Sequence, residues 1–160
     1  MSERTRPPFS VEAARVPTRR GAQHLPEPFA RLLARRVKHP LGDEFGLGAF
    51  GVNLTRLAAG DASALHHRHS RQDEFVYVLE GHPTLVTDDG TGELSPGMCA
   101  GFPARGPAHH LENRTGQEVL VLEVGDRAEG DEVSFPLDDL AAATGPDGQR
   151  RFTRKDGTPY

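Results

Sequence analysis

The stretch ALHHRHSRQDEF, residues 64 to 75, holds three histidines within four positions and an Asp-Glu pair shortly after them. On an extended strand, side chains two apart share a face, so His67 and His69 point together while His66 and Arg68 point the other way. Two imidazoles on one face are half of a metal site. Glu74 opens a second period-two run, EFVYVLEG, in which Val76 and Val78 share its face. A short turn at SRQD would bring its carboxylate back to the pair as a third ligand. Farther along, AHHLEN offers His109 and His110 on opposite faces, one of which a neighbouring strand would present as a fourth. Five of the eight histidines thus fall in two short segments. Neutral imidazole suits Zn, Fe, Ni and Cu, and a carboxylate adds hard-donor character that also admits Mn. Four protein ligands on an octahedral ion leave two positions for a bidentate substrate, or for substrate with water or dioxygen. An isolated His-x-His would by itself be read as a solvated polar strand.

Strands must position these groups. From about residue 48 the hydrophobic period is two: AFGVNLTRL, EFVYVLEG, PTLVTDDG, GMCAGFPA, AHHLEN and EVLVLEVG follow one another, separated by Gly, Pro, Asp and Asn turn signals. Asp89-Gly90 favours a tight hairpin. The gaps are too short for crossover helices, so the sheet is expected to be mostly antiparallel and closed into a barrel or two-sheet sandwich. Ahead of it, residues 1–24 are expected to be extended or partly disordered. In LPEPFARLLARRVKHP, Phe29, Leu32, Leu33 and Val37 recur at helical spacing with Pro28 in the first turn and Pro40 at the end, which predicts one short amphipathic helix packed on the parent domain. The end of the chain, GPDGQRRFTRKDGTPY, reads as a short basic strand with a turn at each end, forming a flap on the outside. The expected division is a basic arm over 1–44, a barrel over 45–130 and a tail over 131–160.

A chain of 160 residues with 18 Gly and 13 Pro suits one turn-rich domain. MSERTRPPFSVEAAR has no signal-peptide core and no later run reaches membrane-spanning length, so a cytoplasmic protein without membrane contact is expected. The single cysteine, Cys99, makes neither an internal disulfide nor a thiolate zinc cage, and its strand position predicts a small buried side chain. Residues 1–40 carry nine Lys/Arg against three Asp/Glu, leaving ten against twenty in the rest. The basic residues of this arm are scattered, without aromatic interleaving or a helix-turn-helix pattern, so it is expected to lie on its own or a partner's acidic body rather than on nucleic acid.

These residues resemble the two motifs of the cupins. Gly60, His67, His69, Glu74 and Gly81 match the first, with one extra residue between Gly60 and His67. Gly97, Pro103, Gly106, His109 and Asn113 match the second, with one extra residue after Pro103. The spacing from Gly106 through His109 to Asn113 selects His109 over His110. The fifteen residues between Gly81 and Gly97 are similar to the short spacer of small single-domain bacterial cupins, and the likeness runs over about residues 45–160. It implies an all-β double-stranded β-helix, a jelly-roll barrel, with a short N-terminal helix and extended arms at both ends. It further implies one divalent transition metal (Fe, Mn, Zn or Ni) on His67, His69, Glu74 and His109, and a homodimer.

The leading expectation is a mononuclear metalloenzyme acting on a small oxygen-rich molecule, as a dioxygenase if the metal is Fe or by Lewis-acid isomerisation or lysis otherwise. Glu74 is the candidate catalytic residue, leaving the metal to act on a proton. The alternative is a non-catalytic small-molecule binding or sensor cupin. His66 and His110 are expected to face away from the metal, His82, Arg68, Arg105 and Arg114 to lie at the surface, and Asn113 to secure the following turn.

Overall fold

A computed structural model describes residues 8–20, 22, 24–145 and 149–160. The start of the arm, residues 1–7, and the expected turn at 146–148 lie outside the described residues. Strands dominate, in three antiparallel sheets. The first has six strands in the order β1-β2-β3-β10-β5-β8: β1 Arg19–Arg20, β2 Val37–Pro40, β3 Phe50–Leu57, β10 Val119–Asp126, β5 Glu74–Glu80 and β8 Cys99–Phe102. The second runs β13-β12-β11-β4: β13 Arg150–Thr153, β12 Leu140–Thr144, β11 Glu132–Phe135 and β4 Arg68–His69. The third is β7 Gly90–Glu93, β6 Thr84–Thr87 and β9 His109–Glu112. Bridges between Ala62 and Glu112 and between His67 and His109 tie the segment before β4 to β9.

Alternation places the core. On β5, Val76 and Val78 are buried while Phe75, Tyr77 and Leu79 stand outward. With Leu57, Leu94, Leu111, Val119 and Val121, these valines form a cluster drawing on the first sheet and on β9. Full burial of each such side chain contributes about 1.5–3 kcal/mol. A second cluster joins Phe29 and Leu33 of the arm to Leu65 and to Val133, Phe135, Leu140 and Ala142 of the tail. The arm therefore packs on its own domain, as expected. At the end of β5 the chain runs so close to Glu118 and Val119 that a Cβ on Gly81 would lie 2.6 Å from the Glu118 carbonyl oxygen, and φ there is +78°. Only glycine satisfies both conditions. Asn113 is fully buried and secures the loop after β9: its amide donates to the Leu57 and Gln117 carbonyls, and its oxygen accepts from the Thr115 backbone and hydroxyl.

Four local expectations change. The helix over 25–40 is one turn, α1 Phe29–Leu32; Leu33 has left helical backbone, and Leu32 is exposed. Val37–Pro40 instead pairs with Arg56 to Asn53 of β3, where an open sheet edge offers four residues' worth of ladder partners. Cys99 is exposed, because β8 turns Ala100 and Phe102 towards the core. The Asp-Gly hairpin forms one residue earlier than expected, with Asp88-Asp89 as the loop and Gly90, at φ +138°, opening β7. The terminal segment is built into a sheet rather than lying as an outer flap: β13 pairs with β12, and that sheet runs on through β11 to β4, the strand that carries His69.

Candidate metal centre

Each expected ligand lies where strand geometry aims it inward. Glu74 opens β5 on the face of Val76 and Val78, and His69 closes β4. His67 and His109 exchange two backbone hydrogen bonds, 2.8 and 3.2 Å, which hold their segments side by side. The four side chains converge. Glu74 Oε2 lies 3.2 Å from His109 Nε2, 3.3 Å from His67 Nε2 and 3.5 Å from His69 Nε2. His67, His69 and Glu74 form the tightest group, their ligand atoms all within 4.8 Å of one another, and His109 joins it through Glu74.

Ring tautomers follow from the other nitrogens. His67 Nδ1 is 2.9 Å from the Leu65 carbonyl oxygen, which only accepts, so this nitrogen carries the hydrogen and Nε2 presents a lone pair. His69 Nδ1 donates to Asp131 Oδ2 at 2.6 Å, with the same result. His109 stacks on Phe102 with ring centroids 3.5 Å apart and planes within 3°, which fixes its orientation. Glu74 Oε2 is buried, has three ring nitrogens around it and accepts a hydrogen bond from none of them. A carboxylate oxygen and imidazole lone pairs gathered about one point satisfy each other only through a cation. Donors about 2.0–2.2 Å from one ion stand roughly 3 Å apart, as Glu74 Oε2 does from each of the three ring nitrogens. Burial pushes the His109 imidazole down, against the pull of Glu74, and so favours its neutral, ligating form.

Asp131 was not among the sequence candidates. It is fully buried and, besides His69, accepts from the Arg71 and Gln72 backbone N–H at 2.9 and 3.3 Å and from the Ser70 hydroxyl at 3.4 Å. Burial raises its carboxyl, and His69 with the Arg71 and Gln72 amides brings it below the ordinary value. It therefore orients a candidate ligand from the tail, as carboxylates behind metal-binding histidines do. The only sequence signal was an acidic residue just before the strand-like EVSF. His66 and His110 point away from the four ligands, as expected, and pack on each other: their Nδ1 atoms are 3.0 Å apart, with Asp88 beyond His66 and Glu112 beyond His110, each at 2.9 Å. Arg68, Arg105 and Arg114 are exposed.

The centre opens into two adjoining lobes, of about 350 Å³ and about 680 Å³. The smaller is walled by His67, Glu74, His109, Phe102, Leu111 and Val124. His67 and Glu74 line both.

Residues 53–125 match the cupin domain family. Among solved structures, a sugar phosphate isomerase of the cupin superfamily from Silicibacter pomeroyi is 38% identical, covers 94% of this chain and 96% of its own, and superposes with a TM-score of 0.88. A candidate sugar phosphate isomerase from Acidithiobacillus ferrooxidans is 29% identical over 78% of this chain and 80% of its own, with a TM-score of 0.71. A polyketide cyclase from Streptomyces resistomycificus, 22% identical over 73% of this chain and 78% of its own, shares the fold with a TM-score of 0.57. No curated protein matches at a significant level. Among the described residues no helix is long and apolar enough to cross a membrane.

Proposed function

This chain belongs to the cupin superfamily, and we propose that it is a mononuclear metalloenzyme that isomerises a small phosphorylated sugar by moving a proton between adjacent carbons. One observation carries the reading: buried His69 and His109 and half-buried His67 and Glu74 converge, with the Glu74 Oε2 atom left without a hydrogen bond, at the junction of two lobes large enough for a sugar. The substrate class comes from the Silicibacter pomeroyi isomerase, whose similarity extends over nearly the whole chain.

The four residues would hold one divalent transition ion. When bound, such an ion polarises a carbonyl oxygen and so acidifies the neighbouring C–H. The protein contributes the rest. Phe102, Leu111 and Val124 exclude water from one side of the reacting carbons. Glu74 is the candidate proton acceptor, because its carboxylate stands in the ligand cluster and on the wall of both lobes, within reach of a sugar carbon held there. Asp131 keeps the His69 Nε2 lone pair directed inward.

The test combines elemental analysis of protein purified without added metal with turnover assays on a panel of aldose and ketose phosphates. Stoichiometric metal that disappears in His67→Ala, together with isomerisation of at least one panel member, is the expected result. A Glu74→Gln protein that retains metal but loses turnover supports proton transfer by Glu74, whereas loss of the metal reduces Glu74 to a ligand. Absence of metal in both wild type and His67→Ala would overturn the enzyme reading in favour of a binding protein.

The outer face of β5 supports a homodimer. Phe75, Tyr77 and Leu79 stand on alternate positions, 38–41% exposed, with Met98 at 45%. A second copy of the chain is the occupant we propose for this stripe, since a long apolar strand face left in water invites self-association.

A further inference from the structure

We infer that the larger lobe is an anion subsite, built by Arg19 and Lys38 of the N-terminal arm and Arg150 of the tail, that holds the phosphate of the substrate beside the metal centre. This rests on the isomerase reading for the identity of the substrate, but not for the existence of the site.

The charge balance of the lobe supports this. Its described lining carries four permanent cations, Arg19, Arg36, Lys38 and Arg150, against the single carboxylate of Glu74. The partners of two of them stand outside it: Asp43, 2.6 Å from Arg19, and Glu123, 2.5 Å from Lys38, belong to the wall of the smaller lobe. Arg36 is buried and committed to the Ser63 carbonyl. Arg150 approaches Asp131 Oδ2 only to 3.9 Å, beyond hydrogen-bond reach, and its planar fork suits a phosphate oxygen pair.

Position adds a second argument. Arg19, Lys38 and Arg150 line both lobes, and so do His67 and Glu74. A single small molecule therefore reaches the ligand cluster with one end and these cations with the other. His24, on the wall of the same lobe, is exposed to the same cations: burial lowers its imidazole, and Arg36, Arg150, Lys38 and Arg19 lower it further. A dianion placed there relieves this repulsion.

The site is tested by calorimetric titration of inorganic phosphate into the full chain, both metal-loaded and stripped with a chelator. Wild type, Arg150→Gln, Lys38→Gln and the surface control Arg31→Gln are compared. Saturable 1:1 binding that survives metal stripping, falls at least tenfold in Arg150→Gln and Lys38→Gln, and stays within twofold in Arg31→Gln is expected. Metal content and melting temperature of the variants should match wild type, which separates loss of the subsite from loss of the fold. If one variant melts early, Arg150→Lys, which keeps the charge but not the fork, should bind with intermediate affinity. Phosphate bound only when metal is present, or equally weakened by Arg31→Gln, would overturn the proposal. Phosphate binding without isomerisation of any panel sugar would leave the subsite standing and remove the isomerase reading. Isomerisation of a panel sugar phosphate with no binding of inorganic phosphate would remove the subsite and leave the isomerase reading standing.

Discussion

Replacing Asp131 by Ala removes the acceptor for four donors at once: the His69 ring, two backbone amides and the Ser70 hydroxyl. Asp131 is fully buried, so water does not readily take its place. Each buried donor left unpaired costs about 1–3 kcal/mol. The two shortest bonds, from His69 and Arg71, alone imply a loss of roughly 2–6 kcal/mol. In a domain of this size each kcal/mol lowers the melting temperature by about 2–4 °C, so Asp131→Ala should melt roughly 4–24 °C below wild type. The His69 ring, no longer held, is free to flip or change tautomer, and metal affinity should fall about 10–100-fold. Scanning calorimetry on metal-stripped protein reads the first effect, because bound metal adds its own stabilisation to the loaded form. Chelator competition reads the second. Asp131→Asn discriminates between shape and charge: it preserves volume but must turn an N–H2 towards either His69 or the Arg71 and Gln72 amides, so it too should lose metal affinity. A variant Asp131→Ala with wild-type melting temperature and metal affinity within twofold would refute the claim that the tail orients the ligand set.

Three further outcomes follow from the geometry. Gly81→Ala combines a left-handed backbone with a Cβ at 2.6 Å from the Glu118 carbonyl, and should lower stability by about 2–4 kcal/mol in urea unfolding. Asp43, which burial pushes up and Arg127 and Arg19 pull below the usual carboxylate range, stabilises the native state above the unfolded Asp value of about 3.9, and that contribution is lost as pH falls through the lower folded value. Wild type should therefore exceed Asp43→Asn in urea midpoint at pH 6, with the gap closing as the pH drops below about 4. Tyr77→Glu puts a charge in the middle of the apolar stripe of β5, and light scattering should show a shift from dimer to monomer with the metal content unchanged.

Local alternation made the ligand strands legible. Glu74, Val76 and Val78 share a face in the sequence and in the structure, and His66 separates from His67 by the same rule. The choice of His109 over His110 came from motif spacing, and the bridge between His67 and His109 confirms their adjacency. What was not legible depends on partners distant in the chain. Val37 has the spacing of a helix residue, yet a free edge on β3 draws it into a strand, and this swings Lys38 into the cavity wall. Cys99 follows the inside-outside phase set by its pairing with Tyr77, which a five-residue run does not reveal. Asp131 and Arg150 sit in polar stretches whose destination is set only when β11 meets β4.

The pairing of β4 with β11 also orders events in time. His69 and Arg68 wait for Val133 and Ser134, more than sixty residues later in the chain. During synthesis the histidine pair and Glu74 emerge early, while the strand that fixes His69 emerges only near the end. Until β11 docks, the His69 ring lacks the Asp131 carboxylate that holds it. Closing so distant a contact is slow compared with forming the neighbouring hairpins. The surroundings of His69 are therefore complete only after β11 has been made and docked.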